Sequence, residues 1–201
     1  MTFKKTHFLF GTFIGLILAA MIGFILKPAE VIQKPALIGG PFTLIDHNGK
    51  IVKSSDYEGK ILIVYFGYTF CPDVCPTDLQ KISLGLDMLE RNKLETSHFQ
   101  PIFISIDPER DTVEVMNEYV ENFHPSLIGL TGTTEQIKAA AKNYKVYYQK
   151  AANSEDDYYL MDHSSIIYVI GPDGKYLSHF TSLDSQKIIA NRLSHYLDEK
   201  F

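Results

Sequence analysis

Hydrophobic and polar positions along this chain fall into blocks of distinct period. His7 to Leu26, HFLFGTFIGLILAAMIGFIL, is an apolar run of 20 residues without a charge, the length that crosses a bilayer core. After a stretch with Pro28, Pro35, Gly39 and Gly40 the runs become short. FTLID (Phe42–Asp46) and IVK (Ile51–Lys53) flank Asn48-Gly49, which predicts a β-hairpin. ILIVYFGY (Ile61–Tyr68) is continuously apolar and β-branched, as expected of a central strand buried on both faces. Leu79, Ile82, Leu86 and Leu89 then recur at helical spacing. PIFISID (Pro101–Asp107) predicts a second buried strand. Asp111 and Glu114 have the spacing of a capping box and open a helix with Val115, Met116, Tyr119, Val120 and Phe123 inward.

The second half alternates in the same way. Leu127–Leu130 predicts a short strand, and Thr133 with Gln136 caps a helix running to about Asn143. Val146–Gln149 reads as a further strand and Asn153–Asp157 as a polar loop. Ile166–Ile170 and Tyr176–Phe180 form a hairpin across Gly171-Pro172-Asp173-Gly174, and Ile188, Ile189, Leu193 and Leu197 mark a last helix. An early hairpin, two strand–helix units, a closing hairpin and a helix describe an α/β, thioredoxin-like domain. The organisation is an anchor over 1–27, a linker over 28–40 and this domain over 41–201.

Charge adds a compartment. A cleaved signal peptide is the alternative to an anchor, but no small-x-small site follows Leu26, only Lys27, Pro28, Ala29 and Glu30. Lys4 and Lys5 precede the run and Lys27 and Lys34 follow it, so charge asymmetry is weak. A short tail with two lysines favours tail-in, domain-out. No Arg- and Ser-rich transit segment precedes the run, so a bacterial plasma membrane is favoured over the mitochondrial inner membrane facing the intermembrane space. Residues 1–27 hold three of the 19 basic residues and no acid; the remainder carries 16 basic against 24 acidic residues, a net charge of −8. Such a surface does not suit nucleic acid.

The only two cysteines lie in TFCPDVCPTD (Thr69–Asp78), between the first long strand and its helix. Pro76 suits the first helical position, with Cys75 at or near the cap and Cys71 in the preceding loop. The free N–H groups and positive end of the helix favour thiolate. Thiolate attacks disulfides and binds soft metals. Three residues separate the cysteines, one more than in a thioredoxin redox pair. A disulfide staple, a redox couple and a metal site are all compatible with that spacing, the staple least so because a short link constrains little chain entropy. A metal site needs a third ligand. His7, His47, His98, His124, His179 and His195 sit in contexts typical of surface or packing residues. His163 differs. It lies in Met161-Asp162-His163-Ser164-Ser165, a short polar break before a strand, where thioredoxins place a cis-proline facing the cysteine loop.

CPDVCP after a buried strand, SIDPERDT (Ser105–Thr112), DHSS (Asp162–Ser165) and the N-terminal anchor together make this sequence similar to the Sco/SenC family, over essentially its whole length. The resemblance implies that Cys71, Cys75 and His163 bind copper. It implies delivery of copper to, or assembly of, the binuclear copper centre of cytochrome c oxidase. The partners would be oxidase subunit II, a periplasmic thiol reductant and a copper donor. Two thiolates suit Cu(I), and with an imidazole they also hold Cu(II). Zinc in a structural site usually has a fourth ligand. Met161 is read as packing or as a weak thioether ligand, Asp162 as an acceptor orienting the imidazole or a solvated loop acid, and Asp107 as a residue for docking or ligand tuning on the cysteine edge. No catalytic residue is implied for a metallochaperone. The alternative is a membrane-tethered thiol–disulfide oxidoreductase acting on the oxidase cysteines through a Cys71–Cys75 disulfide, which has no need of His163. A copper or redox sensor also fits. A peroxidase does not, since Pro72 and Tyr68 stand where peroxiredoxins have threonine and proline.

Overall fold

The computed structural model describes residues 38–152 and 159–198. The apolar run His7–Leu26, most of the linker and the polar loop read at Asn153–Asp157 lie outside the described residues. Among the described residues no helix is long and apolar enough to cross a membrane. Strands β1 (Thr43–Asp46) and β2 (Ile51–Lys53) form the first hairpin. Its turn is held by Asp46 Oδ1, which accepts from the backbone N–H groups of Asn48 and Lys50 at 2.9 Å each. A 3-10 turn (Ser54–Tyr57) leads to β3 (Ile61–Gly67), α1 (Val74–Arg91), β4 (Phe99–Ser105), α2 (Val113–Val120), β5 (Ile128–Thr131) and α3 (Thr134–Tyr144). Then come β6 (Tyr148–Lys150), β7 (Met161–His163), β8 (Ile166–Ile170), β9 (Tyr176–Thr181) and α4 (Gln186–Asp198).

One sheet takes seven strands in the order β2-β1-β5-β4-β3-β8-β9, and β6 pairs with β7 in a second, two-stranded sheet. The pairs β3/β4 and β4/β5 are parallel; β8 runs antiparallel to β3. This is the thioredoxin-like arrangement predicted. Every residue of β3 and β4 is buried, which is why β3 reads as an unbroken apolar run rather than an alternating one. On α1 the buried stripe includes Leu79, Ile82, Leu86 and Leu89. Each such side chain removed from water contributes about 1.5–3 kcal/mol, and together they hold α1 to the strands and leave its N-terminus at one sheet edge.

Several local readings shift. The helix at α1 begins at Val74 with Asp73 as N-cap, so Pro76 falls in the third helical position; its missing N–H is still one that the first turn leaves unpaired. The predicted Thr133–Gln136 capping box forms. The Asp111–Glu114 box does not. Thr112 caps α2, accepting from the Val115 N–H at 3.3 Å. Asp111 is instead fully buried and used for tertiary contacts. Its Oδ1 accepts from the Thr69 hydroxyl and its Oδ2 from the Ser105 hydroxyl, both at 2.6 Å. The Thr69 N–H adds a contact of 3.2 Å. MDHSS, read as a polar break, contains β7, paired residue for residue with β6.

Asp111 thus ties the start of the cysteine loop to the end of β4. Asp111→Ala would strand the donors of Thr69 and Ser105 and is expected to cost about 2–4 kcal/mol of stability, read from urea unfolding of the detergent-solubilised chain. A loss below about 1 kcal/mol would show that the loop is held by other contacts.

Candidate metal centre

The in-register pairing of β3 with β4 ends at Gly67 opposite Ser105, so the loops that follow leave the sheet from the same edge. This is the carboxyl-end crevice where open α/β sheets place ligands. The first loop carries Cys71 and enters α1 at Cys75. Because β8 is antiparallel to β3, with Tyr65 opposite Ile167, the segment leading into β8 arrives at that same edge. His163 lies on it. It is steadied from the other side by the backbone bond from Ser164 N–H to Tyr147 O at 3.0 Å and by the Tyr147 N–H on Ser164 Oγ at 3.2 Å.

The three predicted residues meet. One sulfur or ring-nitrogen atom from each of Cys71, Cys75 and His163 lies within 4.8 Å of the other two. Both cysteines are free thiols and buried. His163 Nε2 stands 3.4 Å from Cys75 Sγ. Its Nδ1 lies 3.2 Å from the carbonyl oxygen of Ser164. A carbonyl only accepts, so Nδ1 carries the proton and Nε2 presents a lone pair to the sulfurs. The rings of Tyr65 and Tyr68 meet the imidazole edge-on, with centroids 6.2 and 6.0 Å away. Gly67 makes room for the second sulfur: a Cβ there would lie 2.8 Å from Cys75 Sγ and 3.0 Å from the Phe103 ring.

The two thiols are not equivalent. Cys71 Sγ receives the Cys75 backbone N–H at 3.3 Å. A hydrogen bond from the Cys75 thiol, opposed by burial and aided by the N–H groups of Asp73 and Cys75, lowers the Cys71 pKa to about 4. That same bond, with burial, pushes Cys75 upward. The reduced pair therefore holds one thiolate near the surface and one buried thiol that shares its proton with it. Two sulfurs and an oriented imidazole form a donor set of the kind that soft metal ions prefer. The thiolate is also a nucleophile for disulfide exchange.

Other residues singled out in the sequence are placed elsewhere. Asp162 is exposed; along β7 it faces away from Met161 and His163, and the imidazole takes its orientation from the Ser164 carbonyl. Met161 packs against the core. Asp107 is buried and turned to Arg110, whose Nε lies 2.5 Å away, and to the Tyr159 hydroxyl, which donates at 2.6 Å. Arg110 in turn lies over the Tyr159 and Phe70 rings at 3.5 and 4.7 Å, so Asp107 fixes an aromatic rim beside the cysteine loop. Of the other described histidines, His98, His179 and His195 are at the surface. His47 accepts from the Gly129 N–H at 3.1 Å. Gly67, Ser164 and Asp111 were not anticipated as parts of the site. A glycine ending an apolar strand just before a cysteine loop was the one local signal available for any of them.

A family model described as SCO1/SenC matches residues 30–198. The chain belongs to the SCO1/SenC family. Within it, a SCO2-like protein of Rickettsia prowazekii is 47% identical over 144 residues, which are 71% of this chain and 69% of that one. The mitochondrial SCO1 homolog of Homo sapiens is 43% identical over 173 residues, 83% of this chain and 57% of its own length. Among solved structures, Arabidopsis thaliana ScoI with copper bound superimposes with a TM-score of 0.75 at 41% identity, covering 81% of this chain and 99% of that one.

The unequal thiols are testable. Alkylation of Cys71 in the reduced, metal-free protein is expected to titrate with a midpoint near 4, far below the usual cysteine value of about 8.5. Cys75→Ala removes the S–H donor and is expected to move that midpoint upward. A native midpoint in the ordinary thiol range would contradict the hydrogen-bonded pair.

Proposed function

We propose that Cys71, Cys75 and His163 bind copper as cargo, and that this SCO1/SenC chain delivers it to, or assembles, the binuclear copper centre of cytochrome c oxidase. One observation carries the reading: the Ser164 carbonyl leaves His163 Nε2 as a lone pair aimed at two sulfurs. Disulfide exchange has no need of such a group, whereas a metal shell does. Copper bound in a relative with 41% identity supports the choice of ion, and the sulfur-rich donor set is consistent with it. A Cys71–Cys75 disulfide would have no thiolates to offer, so a thiol reductant acts on the pair before a copper donor loads it. Subunit II of the oxidase is the acceptor. The domain is exported and tethered to the bacterial plasma membrane by His7–Leu26.

Thiol–disulfide exchange with the oxidase cysteines is the second reading, favoured by the low pKa of Cys71 beside a buried partner thiol. The two separate at His163. With His163→Ala, Cu(II) binding is expected to be lost and Cu(I) binding to survive in weakened form, because two sulfurs still hold the softer ion. Reduction of a test disulfide should persist. Oxidase activity in cells is then expected to fail with His163→Ala as it fails with Cys71→Ser. Normal oxidase activity with His163→Ala would instead favour the reductase.

Tethering has its own test. The protein is expected to stay in the membrane fraction through carbonate washing, and a reporter fused after Phe201 to be active only outside the cytoplasm. A soluble form beginning near residue 28 would establish cleavage instead.

A further inference from the structure

Toward its C-terminal end α1 carries a second group of metal-ligating side chains. Asp87 and Glu90 are three residues apart and share a helix face. His124, in the turn between α2 and β5, meets that face with Nε2 at 3.3 Å from Glu90 Oε1 and 3.9 Å from Asp87 Oδ1. One donor atom from each of the three lies within 4.8 Å of the other two. With a rise of 1.5 Å per residue the group stands about 20 Å along the helix from Cys75, so it cannot share an ion with the cysteine centre.

His124 is buried and fixed from its Nδ1 side. Its side chain is 7% exposed. Its backbone N–H donates to Ser83 Oγ at 3.0 Å, and its Nδ1 sits between the Ser126 hydroxyl at 2.7 Å and the Ser126 N–H at 3.2 Å. Nε2 is therefore the ring nitrogen left to face the carboxylates. Glu90 Oε1 in turn accepts from the Thr96 hydroxyl at 2.9 Å. The Ser126 N–H can only donate, so in the metal-free protein Nδ1 accepts from it and Nε2 carries the ring proton toward Glu90. Among the described residues no lysine or arginine pairs with Asp87 or Glu90, and His124 is the partner of both. Their two negative charges therefore converge on one ring nitrogen.

We propose that Asp87, Glu90 and His124 form a second metal site, selective for a divalent ion of borderline softness, zinc or copper(II). Bonds of about 2.0–2.2 Å in a tetrahedral shell place neighbouring donors about 3.3 Å apart. The His124–Glu90 spacing has this value already, and Asp87, whose side chain is partly exposed, is drawn in by a side-chain adjustment. The ion takes the place of the proton that links Nε2 to Glu90, and the neutral ring keeps that one proton by carrying it on Nδ1 instead. Nδ1 thereby changes from accepting the Ser126 N–H to donating to the Ser126 hydroxyl. The side chains of Asp87 and Glu90 are 38% and 49% exposed, so water completes the shell. One imidazole with two carboxylates disfavours Cu(I), which prefers sulfur, and gives no advantage to Mg2+, which prefers an all-oxygen octahedron. The site joins the end of α1 to the turn before β5, and its occupancy is independent of the cysteines.

The test is calorimetric titration of the detergent-solubilised full chain carrying Cys71→Ser and Cys75→Ser, with Zn2+, Cu2+ and Mg2+ in separate arms. One equivalent of Zn2+ or Cu2+ is expected to bind, and Mg2+ is not. Glu90→Gln and Asp87→Asn, both at partly exposed side chains, are each expected to weaken that binding at least tenfold while the metal-free protein still melts cooperatively. Ser126→Ala is expected to weaken it by removing the acceptor for Nδ1–H. Absence of stoichiometric Zn2+ and Cu2+ binding overturns the proposal, as does binding indifferent to both carboxylate changes. Either result would make the triad an ion pair that fastens α1 to the turn. Binding of Mg2+ as tight as that of Zn2+ would overturn the assigned ion class.

Discussion

Strand β3 has no solvent-facing side, and this constraint organises the molecule. With all seven of its residues buried, β3 accepts β4 on one flank and β8 on the other, and its C-terminal end becomes the point where three chain segments converge. The close fit continues to its last residue. Gly67 lets Cys75 Sγ approach the strand to a distance that a methyl group would occupy, so the second cysteine is positioned by backbone packing as well as by its own helix. Side chains in a core of native density cannot drift, and the sulfur inherits that rigidity.

Around this apolar frame, buried carboxylates do the joining. Asp111 gathers the cysteine loop and the end of β4, while Asp107 gathers Arg110 and Tyr159. Both have the partners that burial of a charged group demands. Asp78 is different. It is fully buried in α1, with Lys81 at 3.0 Å from Oδ1, while Oδ2 and the neighbouring Tyr65 hydroxyl find no hydrogen-bond partner among the described residues. Burial accordingly raises its pKa. Burial raises the pKa of Asp111 as well, despite its hydrogen bonds, and of the three carboxylates Asp107 alone faces a guanidinium.

The chemistry of the cysteine centre follows from unequal burial. Cys71 is buried but keeps 8% of its surface exposed, beside the N–H groups of a helix start where a negative sulfur is stabilised. Cys75 sits under it with no solvent access and keeps a proton by lending it to Cys71. Any soft ion entering between them must displace that proton, and His163 Nε2 already stands within reach of the same sulfur. On the proposed reading, metal uptake and thiol exchange begin from the same hydrogen-bonded pair, and the imidazole is the element that only metal binding would use.

Much of this was legible in one dimension. The unbroken apolar run of β3, the stripe of α1, the Asn48-Gly49 hairpin and the Thr133–Gln136 cap are local patterns, and each formed because burial and backbone chemistry act over a few neighbouring residues. Cys71, Cys75 and His163 stood out for a related reason: their motifs are short and their residue types are chemically marked. Other features belong to the tertiary structure. Asp111 has capping spacing, but Thr69 and Ser105, 42 and 6 residues away, offer it stronger bonds. The Ser164 carbonyl orients the imidazole that Asp162 was expected to hold, because strand alternation turns Asp162 outward. Asp87 and Glu90 meet His124, more than thirty residues along the chain, only because the packed core brings the end of α1 against the turn before β5. Periodicity records which residues face the core, whereas a polar contact between distant segments depends on register and approach, and those are set only when the sheet closes.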